Sequence, residues 1–158
     1  MPGPRVEAIL AKLEKGLQKT QMFFFGLTPE QWTHVIYTDP SPWTIRDLAG
    51  HFLSAEDGLL QIAVNTAAGG EGAPEGFDFD HFNIEEQRRL ADLTPEQILE
   101  GLTNARRRTL EWAATLEESA LDRVGRHPAL GQVPVETMIL AIYGHQLLHM
   151  RDLQAALR

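Results

Sequence analysis

The sequence contains no cysteine. This absence excludes disulfide scaffolds, cysteine nucleophiles, thiolate zinc sites and iron–sulfur clusters. A metal ion would therefore have to be bound by imidazole nitrogen and by oxygen, and any thiol chemistry would need a thiol from outside the chain. Imidazole is available, because the sequence has six histidines: His34, His51, His81, His127, His145 and His149.

Positive charge and long hydrophobic runs are also scarce. Lys and Arg together number 14 against 22 Asp and Glu, which gives a formal net charge of −8 and argues against a nucleic-acid partner. No apolar run approaches the roughly 20 residues of a membrane span, so we expect no membrane partner. Residues 1–4 lack the basic stretch of a secretory signal. These features predict a cytoplasmic protein whose partner is a small-molecule substrate.

The hydrophobic pattern predicts an all-α protein, and the 158 residues are read as a single domain, 1–158. Apolar residues recur with helical spacing in four segments, near residues 5–25, 44–68, 95–116 and 134–157. Thr44 and Thr94 are the predicted N-caps of the second and third segments. Shorter helices are expected at Thr28 and after Asn83, and residues 118–133 are interpreted as a loop. The segments together predict a four-helix bundle.

Three histidines carry the main functional hypothesis. His145 and His149 are four residues apart, so they share one face of the fourth helix and can both reach one metal ion. His51 lies on the apolar stripe of the second helix, so three imidazoles are expected to face the interior. Three nitrogen ligands would leave an open coordination position, as catalytic metals require. The alternative is a bundle in which all three are hydrogen-bonded core residues and no metal is present.

Several other catalytic chemistries are disfavoured because the residues that they require are missing from the sequence. Gln146 occupies the position where an H-E-x-x-H metallopeptidase has its catalytic glutamate, and a glutamine cannot act as that base. The set of inward glutamates that a di-iron site requires is missing, as is the G-x-S-x-G motif of serine hydrolases.

The sequence also suggests roles for the remaining polar residues. Asp152, one turn beyond His149, could orient a ligand imidazole or accept a proton, and it could equally be a solvated residue paired with an arginine. Trp43 is expected to anchor the loop that precedes the second helix. Three histidines are interpreted as surface loop residues and one basic run as a solvated helix face; these are His34, His81, His127 and residues 106–108.

Three segments of the sequence, including those with the three inward histidines, resemble a known family. Residues 43–52, WTIRDLAGHF, resemble the W-[ST]-x-x-[DE]-x-x-x-H signature of the DinB/YfiT-like metalloenzymes, and the helix with His145 and His149 resembles the second half of their metal site. Residues 77–83, FDFDHFN, resemble the branch that includes the N-terminal domain of mycothiol-dependent maleylpyruvate isomerase.

The resemblance implies an up-up-down-down bundle with a long crossover between helices 2 and 3. It also implies a divalent metal ion, nickel, zinc or iron, held by His51, His145 and His149, a low-molecular-weight thiol as a further cofactor, and a homodimer. One departure is that the isomerase branch has a carboxylate where this chain has His145. The favoured function is that of a metal-dependent enzyme, either a thiol-dependent transferase or isomerase or a hydrolase. The alternative is a non-enzymatic bundle that is stabilised by the metal or binds a small molecule, for example a stress-related binding protein.

Overall fold

The computed structural model describes residues 1–39 and 41–158 of the chain. Its helices are numbered in chain order: α1 Pro4–Phe25, α2 Pro29–Trp32, α3 Ile45–Ala67, α4 Phe79–Arg89, α5 Pro95–Ala113 and α6 Val135–Ala156. A 3₁₀ helix spans Glu118–Asp122. The short strands are β1 Val35–Tyr37, β2 Trp43–Thr44, β3 Val124–His127 and β4 Gly131–Pro134.

The four long helices α1, α3, α5 and α6 form the bundle, which confirms the predicted fold class. Helix α3 packs against α5 and α6, and α1 packs against the same two helices. The long crossover between α3 and α5 is also confirmed, and it carries α4 across the outside of α3. None of the helices in the described residues combines the length and apolar character needed to cross a membrane.

Helix starts follow the local chemistry of the sequence. Thr28, Thr44 and Thr94 each form a capping box, in which the threonine side chain and the third helical residue satisfy each other's backbone N–H groups. Helix α4 differs from the prediction because it begins at Phe79, before Asn83. Its N-cap is Asp78, whose carboxylate accepts a hydrogen bond from the backbone N–H of His81 at 3.1 Å.

Two antiparallel ribbons lie at the edge of the bundle. Strand β1 pairs with β2, and β2 leads directly into α3. Strands β3 and β4 form a hairpin where the sequence predicted a loop. The prediction that His127 is a surface residue is wrong, since only 6% of it is exposed. Alternation along β3 turns Gly125 and His127 to the same, buried side, and Gly125 lies so close to Thr66 that it has no room for a Cβ atom.

A buried ion pair connects all four bundle helices. Arg106 in α5 donates hydrogen bonds to both carboxylate oxygens of Glu56 in α3, at 2.7 and 2.9 Å. It also donates to the backbone carbonyl of Leu13 in α1 and to the side-chain carbonyl of Gln146 in α6. Thr109 donates a further hydrogen bond to Glu56. The interpretation of residues 106–108 as a solvated face is therefore wrong for Arg106, of which 1% is exposed.

We expect Glu56→Gln to lower the free energy of unfolding by about 3–5 kcal/mol, because the charge of Arg106 would stay buried without its counter-charge. The matched control is Asp57→Asn, which removes an exposed ion pair with Arg108 between the same two helices. That change should cost no more than about 1 kcal/mol. Urea denaturation of the metal-free proteins measures both, and equal costs would show that the buried pair does not dominate the α3–α5 contact.

Candidate metal centre

Three histidine side chains meet between α3 and α6. His51 comes from α3, and His145 and His149 come from successive turns of α6. One ligand nitrogen from each ring lies within 4.8 Å of the other two, and the Nε2 atoms of His51 and His145 are 3.0 Å apart. The structure thus brings together the three residues that the sequence singled out as ligands.

The position of His51 follows from how α3 begins. The capping box of Thr44 and Asp47 fixes the first turn of the helix, and His51 lies one turn further on. The ring of Trp43, in β2, packs against the His51 ring with centroids 5.2 Å apart. Trp43 also packs against the bundle core, so it anchors the ribbon and forms a wall of the site at the same time.

Burial keeps the three imidazoles neutral. Desolvation, followed by the proximity of His145 and His149, lowers the pKa of His51 to about 3. Desolvation, followed by the effects of His149 and His127, lowers the pKa of His145 to about 4. The pKa of His149 is also lowered by burial, and nearby Asp152 opposes that shift. At neutral pH every ring therefore has a free lone pair, which is the form that binds a metal ion.

The spacing of the nitrogens fits one divalent ion. Ligands at about 2.0–2.1 Å from a tetrahedral ion lie about 3.3 Å from one another. The 3.0 Å separation of His51 and His145 is close to that value, and small side-chain rotations would close the widest separation of 4.8 Å. Three neutral nitrogen donors suit zinc, nickel and iron, and they leave the ion its full positive charge.

Asp152 makes its contact with the site through a tyrosine. The hydroxyl of Tyr37, in β1, donates to Asp152 Oδ2 at 2.5 Å and lies 2.8 Å from His149 Nδ1. The pKa of Tyr37 is raised, first by burial and then by the hydrogen bond to Asp152. The structure thus places Asp152 beside the site, with Tyr37 between the carboxylate and the imidazole.

An open pocket of about 460 Å³ leads to the histidines. His51 and His149 line it, together with Tyr37 and Trp43 from the ribbon of β1 and β2. Helix α4 contributes a further part of the lining. The lining residues from this helix and from the loop between the strands are Asp39, Ser41, Asp80, Asn83, Ile84, Gln87 and Arg88. The pocket is therefore both aromatic and charged, and a small molecule can reach the histidines from solvent.

The other residues considered from the sequence lie elsewhere. His34 and His81 are exposed, as expected, and His127 is buried in β3 with its Nδ1 accepting hydrogen bonds from two backbone N–H groups. Gln146 points away from the histidines and bonds to Glu56.

Tyr37 was not identified from the sequence as a functional residue. The signal available in the sequence was weak: Tyr37 belongs to a short run of β-branched and aromatic residues, 35–38, followed by the sequence Asp-Pro-Ser-Pro.

Comparison with solved structures shows the same fold in several chains, among them the following three. YfiT from Bacillus subtilis, described as a probable metal-dependent hydrolase with an unusual four-helix bundle topology, aligns with a TM-score of 0.76 and 17% identity, covering 99% of this chain and 87% of that one. The mycothiol-dependent maleylpyruvate isomerase aligns with a TM-score of 0.74 and 18% identity. A mutant of that isomerase aligns with a TM-score of 0.76 and 17% identity. In both isomerase comparisons the alignment covers 94% of this chain and 60% of the isomerase chain.

Sequence comparison gives the family. No curated protein matches the chain. The sequence profile of the DinB superfamily matches residues 12–153, which include α3, α5, most of α1 and α6, and the three converging histidines. The chain therefore belongs to the DinB superfamily.

Proposed function

We propose that this protein is a metal-dependent enzyme in which His51, His145 and His149 hold a divalent nickel, zinc or iron ion. The observation that carries the proposal is the convergence of three neutral imidazoles, two of which, His51 and His149, line an open pocket. Solvent access supports a catalytic site over a purely structural one, because structural sites are closed by protein ligands. The description of YfiT as a probable metal-dependent hydrolase is consistent with this proposal.

The reaction we infer is transfer or isomerisation through a bound low-molecular-weight thiol, or hydrolysis through bound water. When present, a divalent ion lowers the pKa of a coordinated water or thiol and so supplies a nucleophile at neutral pH. The chain itself contributes neutral donors, an aromatic wall at Trp43 and charged groups at Asp80 and Arg88 that can orient a polar substrate. A homodimer and a cytoplasmic location stay predictions from the sequence.

Metal analysis tests the ligand set directly. Protein purified and then equilibrated with Zn²⁺, Ni²⁺ or Fe²⁺ should retain a single ion per chain. His145→Ala and His149→Ala should each lose most of it, because two nitrogens hold a divalent ion far less tightly than three. His34→Ala is the control, since that side chain is exposed. Unchanged metal content in both site variants would refute the proposed centre.

The lowered histidine pKa values predict metal binding that resists acid. Imidazoles with the ordinary pKa of about 6.5 would have to release protons on binding below that pH, which costs up to about tenfold in affinity per ligand and per pH unit. Here the pKa values of His51 and His145 are about 3 and about 4, so these rings stay neutral. Calorimetric titration with Zn²⁺ at about pH 7 and about pH 5.5 should give affinities within roughly tenfold of each other. A loss of a hundredfold or more would contradict the pKa assignment.

The thiol hypothesis is tested by spectroscopy on the nickel-loaded protein. A thiol that coordinates the ion as a thiolate should produce a sulfur-to-metal charge-transfer band when it is titrated into the sample. Several cellular thiols should be compared, with the corresponding S-methyl compounds as controls, since a thioether cannot form a thiolate. If no thiol gives a band, hydrolysis through bound water becomes the preferred reaction.

A further inference from the structure

Tyr37 occupies a position between two groups of α6. His149 and Asp152 are separated by one helical turn, and the Tyr37 hydroxyl reaches His149 Nδ1 at 2.8 Å and Asp152 Oδ2 at 2.5 Å. The phenol and imidazole rings meet edge to face with centroids 5.8 Å apart. The three groups therefore form a continuous hydrogen-bonded chain from the exposed Asp152 to the histidine cluster.

The direction of each hydrogen bond follows from counting protons. An ionised carboxylate can only accept, so the single phenolic proton of Tyr37 is directed at Asp152. Toward His149 the phenolic oxygen can then only accept. Consequently Nδ1 of His149 must carry the proton of the neutral ring, and its Nε2 must carry the lone pair. The short contact with the Asp152 carboxylate also polarises the phenol and makes its oxygen a better acceptor.

We propose that Tyr37 is a positioning residue: held by Asp152, it fixes His149 in the tautomer that offers Nε2 to the metal ion. The proposal rests on the metal centre proposed above. It assigns to Asp152 an action through Tyr37 rather than directly on the imidazole. Since its only proton is engaged by Asp152, Tyr37 orients a ligand and does not donate a proton to the substrate.

The tautomer can be measured without any metal. In metal-free protein with ¹⁵N-labelled histidine, the NMR signals of His149, assigned by their loss in His149→Ala, should show the proton on Nδ1. Tyr37→Phe should shift the ring toward the tautomer with the proton on Nε2. A wild-type ring already protonated on Nε2 would overturn the proposal, whether or not the protein binds metal.

Metal affinity gives an independent measure. Competition with a chromogenic chelator for Zn²⁺ should show that Tyr37→Phe weakens binding by about 10–100-fold, the usual cost of losing a partner that orients a metal-bound histidine. Tyr143→Phe is the matched control, because the only other tyrosine of the sequence lies on α6 itself but packs against Gly16 of α1. Equal affinities for wild type and Tyr37→Phe would overturn the proposal, whereas a wild type that binds no Zn²⁺ would refute the metal centre instead.

A double-mutant cycle tests whether Asp152 acts on His149 through Tyr37 or independently of it. If Asp152 acts through the phenol, Asp152→Asn should weaken Zn²⁺ binding in the wild-type background and have no further effect in Tyr37→Phe. Additive losses of affinity would mean that the two residues act separately, and this result would overturn the proposal that Asp152 acts through Tyr37. Unchanged far-ultraviolet circular dichroism and melting temperature of Tyr37→Phe would show that the loss of affinity does not come from unfolding.

Discussion

The buried pair of Glu56 and Arg106 is the interaction on which the arrangement of the bundle depends. A buried charge is tolerated only when its partners are complete, and this arginine draws its partners from α1, α3 and α6. Gln146, which completes the set, is adjacent in sequence to His145. The rotation of α6 that brings Gln146 to the ion pair therefore also fixes the direction in which His145 and His149 leave the same helix.

A second constraint is the cost of placing three imidazoles side by side, one buried and two partly buried. Positive charge on neighbouring rings would be repulsive and poorly solvated, so the neutral form of the rings is favoured. Neutral rings are also the form that coordinates a cation. The desolvation that holds the cluster in its uncharged state therefore prepares it for a metal ion, and the open pocket beside His51 and His149 leaves a side from which a ligand can approach.

Features that depend on neighbouring residues along the chain were predicted well from the sequence. The capping boxes, the four apolar stripes and the i, i+4 spacing of His145 and His149 are local, and the structure reproduces them. Features that depend on contact between distant segments were missed. His127 is buried because β3 pairs with β4 against α3, and Arg106 is buried because Glu56 occupies an inward position on another helix. For Arg106 and Glu56 the sequence did contain a signal, because each lies among apolar residues of its own helix, α5 or α3.

The sequence by itself determined the class of fold, the helices that carry the histidines and the exclusion of cysteine chemistry, because helical periodicity and composition act over a few residues. Only the tertiary structure decided that three imidazoles meet, that a pocket opens onto them and that Tyr37 lies between His149 and Asp152. These are distances between α3, α6 and the β1–β2 ribbon. Such distances are set by packing and by the need to pair buried charge, and no local pattern in the chain encodes them.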